Sequence, residues 1–210
     1  MTSPPPMRAL EQPAPHRLIR GFLGEDMVER LLAHAAARRD DFEVTTIGAE
    51  GRVDPNIRVS RVLRDLGPLR EELDARFRAV MDEAVATLRL SPFVSTRLEL
   101  ELVAHGDGAF YGRHIDTRTG ANDAATERVL TAVHYFHALP KGFDGGELRL
   151  HSFRPVDQGG RFVDIEPERD LLLLFPSWAP HEVRPIRCPS GAFMDSRFAI
   201  NCWFRRARGK

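Results

Sequence analysis

The sequence predicts an α+β domain in which helices come first and a β-sandwich or barrel follows. Three observations carry this. Helical spacing is confined to the first half of the chain. Period-two alternation dominates from Arg97 onward. Gly- and Pro-rich turns, as at Pro140-Lys141-Gly142 and Pro176-Ser177, separate the alternating segments.

The elements follow in order. Met1 to Pro15 is proline-rich with no apolar core, so it reads as a disordered tail and not as a signal peptide. His16 to Leu23 suits a first strand. Over Gly24 to Arg39, Met27, Val28, Leu31, Leu32 and Ala35 share a helical face, and Glu25 and Asp26 suit the positive end of the helix. Phe42 to Ile47 and Ile57 to Leu63 are short strand-like pieces around a polar turn. Pro68 to Leu88 reads as one long helix with an apolar stripe from Leu69 to Leu88, ended by Pro92. Strands are then expected at Arg97 to Ala104, Val129 to Phe136, Gly146 to His151, Asp170 to Phe175, His181 to Ile186 and Arg197 to Phe204. The N-terminal helices are expected to cover one face of this β core.

Composition narrows the function. The 210 residues hold 30 basic and 30 acidic side chains, and 42 % are hydrophobic. That is enough for a single core. Zero formal charge gives no reason to expect a nucleic acid or an anionic membrane as partner. No apolar run approaches the roughly 18 residues of a membrane span. Cys188 and Cys202 form no CxxC pattern, and a reduced, cytoplasmic chain is expected.

Chemistry concentrates in a few residues. His114 and Asp116 are two apart, and on a strand both point the same way. His181 opens a later strand after Trp178-Ala179-Pro180. Two imidazoles and one carboxylate form the facial ligand set of a non-heme Fe(II) centre, which keeps other positions open; the set is also compatible with Zn(II) or Mn(II). An HxD pair alone is weak evidence, because such pairs are common on strand surfaces. The remaining histidines, His105 among them, read as structural or solvated.

Arg197 strengthens the case. In Arg197 to Phe204 one face carries Phe198, Ile200, Cys202 and Phe204; the other carries Arg197, Ala199, Asn201 and Trp203. An inward guanidinium needs an anion, since removing one member of a buried pair costs about 3–5 kcal/mol. A dicarboxylic cosubstrate would supply it. The alternatives are a salt bridge to Glu99, Glu101 or Glu147, or an outward-facing side chain.

With these residues in place the chain resembles the 2-oxoglutarate- and Fe(II)-dependent dioxygenases, most closely the prolyl 4-hydroxylase group that includes the hypoxia-inducible-factor prolyl hydroxylases. The motifs that carry the likeness occur in order: Gly106-Asp107-Gly108, Tyr111 to Asp116, Gly145 to Leu150, Asp164 to Pro167, Pro180 to Pro185 and Arg197 to Trp203. The resemblance implies a double-stranded β-helix, or jelly-roll, spanning about 97–206 within a single domain of 16–210. It implies His114, Asp116 and His181 as iron ligands. It implies Arg197 and Tyr135 as contacts to the distal carboxylate of 2-oxoglutarate, with Asn201 and Trp203 lining the pocket. Two features depart from the pattern. A second pocket tyrosine is replaced by Ala104, next to His105. The interval between His181 and Arg197 is long, which leaves Arg184 and Arg187 open as alternative anchors.

The implied activity is hydroxylation of an unactivated C–H bond with Fe(II), 2-oxoglutarate and O₂, supported by ascorbate. Asp116 favours this over halogenation, since related halogenases leave that ligand position empty for chloride. A prolyl residue in a peptide or protein is the substrate that the likeness favours. A free amino acid or small natural product is the alternative, and a non-catalytic metal or 2-oxoglutarate sensor a further one. Substrate contacts are expected in Thr45 to Arg61, including Arg58 and Arg61, at Arg113, and in the lid-like stretch Thr117 to Arg128.

Overall fold

The computed structural model describes residues 10–45, 57–117 and 125–208. Parts of the expected substrate-contact stretches, at 46–56 and 118–124, lie outside them. Two sheets face each other among the described residues. The major sheet has seven strands: β1 (Arg17–Arg20), β2 (Glu43–Val44), β4 (Arg61–Leu63), β5 (Arg97–His105), β7 (Thr126–Phe136), β11 (Leu171–Pro176) and β14 (Arg197–Ala207), in the order β1-β11-β7-β14-β5-β4-β2. The minor sheet is β10-β9-β12-β6-β3, from β3 (Arg58–Val59), β6 (Phe110–His114), β9 (Leu148–His151), β10 (Phe162–Ile165) and β12 (His181–Val183). A small ribbon pairs β8 (Asp144–Gly145) with β13 (Ile186–Arg187).

Alternation sorts side chains between two cores. Leu98, Leu100 and Leu102 of β5, Leu172 and Leu174 of β11, and Phe198, Ile200, Cys202 and Phe204 of β14 share one apolar cluster. The same cluster holds Val28, Leu31 and Leu32 of α1 (Glu25–Ala37), Leu73 and Phe77 of α2 (Leu69–Ala79) and Ala84 and Val85 of α3 (Met81–Thr87). The opposite face of the major sheet contributes Val133, Tyr135, Leu171, Leu173, Phe175 and Ala199 to a second cluster, with Leu148, Leu150 and Ile165 of the minor sheet. The candidate site lies within this inter-sheet space.

Several elements differ from the sequence expectation. The single long helix is two. At Val80 the chain turns through φ −99°, ψ −2°, and Val80 N–H bonds Phe77 O in a 3₁₀-type step. The resulting offset lets Met81, Ala84 and Val85 bury their side chains. Pro92 is not what ends the helical run. Arg89 at φ 55° closes α3, with Leu90 N–H on Val85 O and Arg89 N–H on Ala86 O, the two bonds of a Schellman turn. The segment 57–63 is divided at Ser60. Arg58–Val59 pairs with β6 in the minor sheet, and Arg61–Leu63 pairs with β5 in the major one. Ile47, at the end of the first expected piece, lies outside the described residues. His181 to Ile186 is also two strands, β12 and β13. Leu10 to Pro15, read as part of the tail, are docked: Leu10 O and Glu11 O accept from Arg154 N–H and Arg161 N–H, and Ala14 is buried in the inter-sheet cluster.

Candidate active site

Register brings the two candidate histidine ligands together. His114 ends β6, His181 begins β12, and the two are direct cross-strand partners with ring centroids 4.2 Å apart. Asp116 arrives differently from the sequence expectation. β6 stops at His114, so strand alternation does not aim the carboxylate. The chain bends instead, and Asp116 N–H and Thr117 N–H both bond Ser177 O. One ligand atom from each of the three side chains lies within 4.8 Å of the others. His114 Nε2 is 3.7 Å from Asp116 Oδ1, and His181 Nε2 is 3.7 Å from Asp116 Oδ2.

The surrounding groups fix which atoms face inward. His114 Nδ1 lies 2.8 Å from Gly112 O, and His181 Nδ1 lies 3.0 Å from Ala179 O. A carbonyl only accepts, so each Nδ1 carries the proton and each Nε2 keeps its lone pair for a metal. Thr131 Oγ1 donates to Asp116 Oδ2 at 2.8 Å and lies 2.9 Å from Ser177 Oγ. Burial, and then His181, pull the His114 pKa down to about 3, against the pull of Asp116. Burial would raise Asp116, but His181, His114 and Arg128 hold it at about 2. Both groups therefore stand in their metal-binding forms at neutral pH.

Arg197 occupies the other end of the cavity. It is 1 % exposed and begins β14, on the face opposite the helices. Among the described residues no carboxylate pairs with it. Glu99 is taken by Arg128 and Arg205, and Glu101 by Arg64. Glu147 acts on it only as a distant charge. Arg197 Nη1 donates to His105 Nδ1 at 3.3 Å, while Nε and Nη2 are buried without a hydrogen-bond partner. Its guanidinium carbon sits 4.8 Å over the Tyr135 ring, whose buried Oη also lacks a hydrogen-bond partner. Burial raises the Tyr135 pKa to about 12 against the nearby Arg197 charge, so the phenol stays a neutral donor. Burial likewise lowers the Arg197 pKa, opposed first by Tyr135.

The cavity between these ends is lined by Asp116, His181, Asn201 and Trp203, among others. Asn201 and Trp203 lie opposite Val133 and Thr131 in the β14–β7 register. Arg128 stacks 3.7 Å over Trp203 and pairs with Glu99 at 2.5 Å. Tyr135, opposite Ala199 in the β14–β7 register, adjoins the end of the cavity beside Arg197. Arg184 pairs with Glu182 and Arg187 is exposed, so neither reaches the cavity. Arg61 is exposed, and Arg113 donates to Ser152 O.

Arg58, expected from the sequence as a substrate contact, lines the cavity, and so do Tyr111 and His105, to which the sequence assigned no role in the site. Arg58 is half-buried, stacks 4.7 Å over Tyr111 and donates to Ser60 Oγ. Tyr111 stacks on His114 at 3.6 Å. His105, read as structural or solvated, is buried on the cavity wall. Ala104 belongs to the helix-side cluster, so its neighbour His105 is the one that faces the cavity.

Comparison with known proteins agrees with this geometry. Residues 100–205 match the model of the 2OG-Fe(II) oxygenase superfamily. A PKHD-type hydroxylase of Synechocystis, itself uncharacterized, is 30 % identical over 200 residues. That alignment covers 92 % of this chain and 64 % of the relative, so the chain spans less than two thirds of that relative's length. The crystal structure of a Pseudomonas putida prolyl-4-hydroxylase is 26 % identical with TM-score 0.66, covering 91 % of this chain and 92 % of that one. A prolyl hydroxylase of Trichoplax adhaerens, in complex with a hypoxia-inducible-factor peptide, shares the fold at 24 % identity and TM-score 0.65, covering 91 % and 83 %.

The chain belongs to the 2OG-Fe(II) oxygenase superfamily, and its facing sheets are that family's jelly-roll. Its relatives and structural neighbours include prolyl 4-hydroxylase-like enzymes, in a family that uses Fe(II), 2-oxoglutarate and O₂. No helix among the described residues is long and apolar enough to cross a membrane.

Proposed function

We propose that this chain hydroxylates a prolyl residue in a peptide or protein, with Fe(II) held by His114, Asp116 and His181. The observation that supports the reading best is the pairing of two unlike sets of polar groups in one cavity. Two Nε2 lone pairs and a carboxylate converge at one end. At the other, a buried guanidinium and a phenol have unused donors. The first set fits a divalent ion with open positions. The second fits a carboxylate, which Arg197 can take through Nε and Nη2 while Tyr135 Oη donates to it.

Fe(II), 2-oxoglutarate and O₂ together supply the oxidising power for hydroxylation of an unactivated C–H bond, with release of succinate and CO₂. The protein's own part is orientation and exclusion of water. Thr131 keeps Asp116 turned inward. Asn201 and Trp203 shape the cavity wall, with Trp203 braced by Arg128. The apolar inter-sheet cluster around Phe175, which packs edge-on against His181 at 4.8 Å, keeps bulk water from that side.

The prolyl substrate rests on the prolyl-hydroxylase likeness and on the peptide bound by the Trichoplax neighbour. A free amino acid or small natural product is the second reading. We place residues 16–210 in one oxygenase domain. Two free, buried cysteines suit a cytoplasmic location. The test is succinate formation with Fe(II), 2-oxoglutarate, ascorbate and O₂, coupled to mass spectrometry of proline-containing peptides. Oxygenated peptide in step with succinate supports the proposal. Substrate-coupled succinate confined to small molecules moves it to the second reading, and no succinate under any condition refutes it.

A further inference from the structure

One polar group on the cavity wall stands outside the metal-ligand set and the arginine–phenol pair. His105 ends β5 and is the cross-strand partner of Arg197. Its imidazole is 4 % exposed and lines the cavity. Arg197 Nη1 approaches Nδ1 at 3.3 Å. A guanidinium donates and never accepts, so Nδ1 must offer its lone pair, and the ring proton then sits on Nε2. The ring is neutral. Burial first, then the guanidinium groups of Arg197 and Arg58, push its pKa well below the ordinary histidine value. Among the described residues no side chain accepts from Nε2–H; the one main-chain group that favours a proton on the ring is that of Arg197.

The result is a neutral N–H donor beside the spare donors of Arg197, at the end of the cavity remote from an acid. Nothing in the fold requires a histidine here. An apolar side chain would fill the same buried place without the cost of desolvating a polar ring. The contact to Arg197 has a consequence of its own. It occupies Nη1 and so leaves Nε and Nη2, one edge of the guanidinium, for a ligand.

Resting on the reading of this cavity as a 2-oxoglutarate site, we infer that His105 is a cosubstrate-binding residue. It aims Arg197 through Nδ1 and donates Nε2–H to a carboxylate oxygen of 2-oxoglutarate.

The test is calorimetric binding of 2-oxoglutarate to the Mn(II)-loaded full chain. His105→Phe keeps the ring's bulk and removes both contacts. It weakens 2-oxoglutarate binding by about 10–100-fold, the range for hydrogen bonds to charged groups, while Mn(II) affinity is unchanged. His105→Gln keeps an acceptor and a donor and recovers most of the loss. In turnover the KM for 2-oxoglutarate rises more than kcat falls. Nitrogen-15 NMR of the wild-type chain shows the His105 proton on Nε2, and that resonance moves on addition of 2-oxoglutarate. This measurement decides the question alone if the phenylalanine variant does not fold. Binding within twofold of wild type in His105→Phe, or an Nε2 resonance unmoved by saturating 2-oxoglutarate, overturns the inference while leaving the cosubstrate site intact. A wild-type chain that binds Mn(II) but no 2-oxoglutarate overturns the cavity reading, and this assignment with it.

Discussion

Arg197 runs through the space that Gly146 leaves free. A Cβ at Gly146 would lie 2.7 Å from Arg197 Cδ and 2.7 Å from Ile186 Cγ1. Gly146 also has φ +76°, a left-handed conformation that costs other residues about 1–2 kcal/mol. Gly146 is therefore part of the arginine's seat and not only a turn residue. Gly146→Ala is expected to displace the guanidinium, raising the KM for 2-oxoglutarate about tenfold or more, the effect of a small misplacement of a positioning group. Steady-state kinetics with varied 2-oxoglutarate measure it.

Arg197→Lys keeps the charge and loses the planar fork. A lysine ammonium cannot bond a carboxylate through two parallel N–H groups, nor hold His105 Nδ1 at the same time. The expected result is weaker 2-oxoglutarate binding by about tenfold or more with metal binding intact. Titration of the variant with metal and then with 2-oxoglutarate separates the two.

Thr131 supports Asp116 from outside the ligand set, through its bond to Oδ2. Thr131→Val is close to isosteric and removes that donor. Loss of such a supporting partner costs about 10–100-fold in metal affinity. Competition with a chelator of known strength reads the change, and circular dichroism confirms that the fold persists.

Acid should weaken the fold through a second buried pair. His134 Nε2 lies 2.8 Å from Asp170 Oδ1, and Asp170 also accepts from Leu23 N–H and Gly24 N–H at the start of α1. Burial lowers the His134 pKa from its ordinary 6.5 against the pull of Asp170. Burial would raise Asp170, but His134 and the two backbone N–H groups bring it below 3.8. Both folded values lie below the unfolded ones, so the unfolded chain binds more protons and stability rises with pH. The contribution of His134 is complete above about pH 6.5 and is lost as pH falls below it; that of Asp170 is lost below about pH 4. Melting temperature is expected to fall between pH 7 and pH 5, with a shallower slope in His134→Gln. Asp170→Ala is expected to cost about 3 kcal/mol at pH 7, measured by urea unfolding.

The parts of the site legible in the sequence are those in which residue type alone carries the chemistry. His114, Asp116 and His181 stand out because few side chains can ligate a metal. Arg197, Asn201 and Trp203 share a face because β14 alternates strictly. What alternation does not contain is register. His105 is a lone histidine until β5 is laid beside β14 and it falls opposite Arg197. The two metal-side histidines are likewise paired by the β6–β12 register. Asp116 joins the cluster by a route that strand alternation does not contain: hydrogen bonds to Ser177 O, and not a strand, turn it inward. The break at Val80 has no glycine or proline to announce it, so a continuous apolar stripe concealed it. Phe193, in the long interval between His181 and Arg197, packs between Phe42 and Phe198 and belongs to the core margin.

The most direct test of the central claim is anaerobic Fe(II) titration of the full chain beside His114→Ala, Asp116→Ala and His181→Ala, with and without 2-oxoglutarate. One Fe(II) per wild-type chain is expected, bound more tightly when 2-oxoglutarate is present, with loss of that site in each variant. Undiminished Fe(II) binding in the three variants, or a wild-type affinity indifferent to 2-oxoglutarate, would contradict the claim.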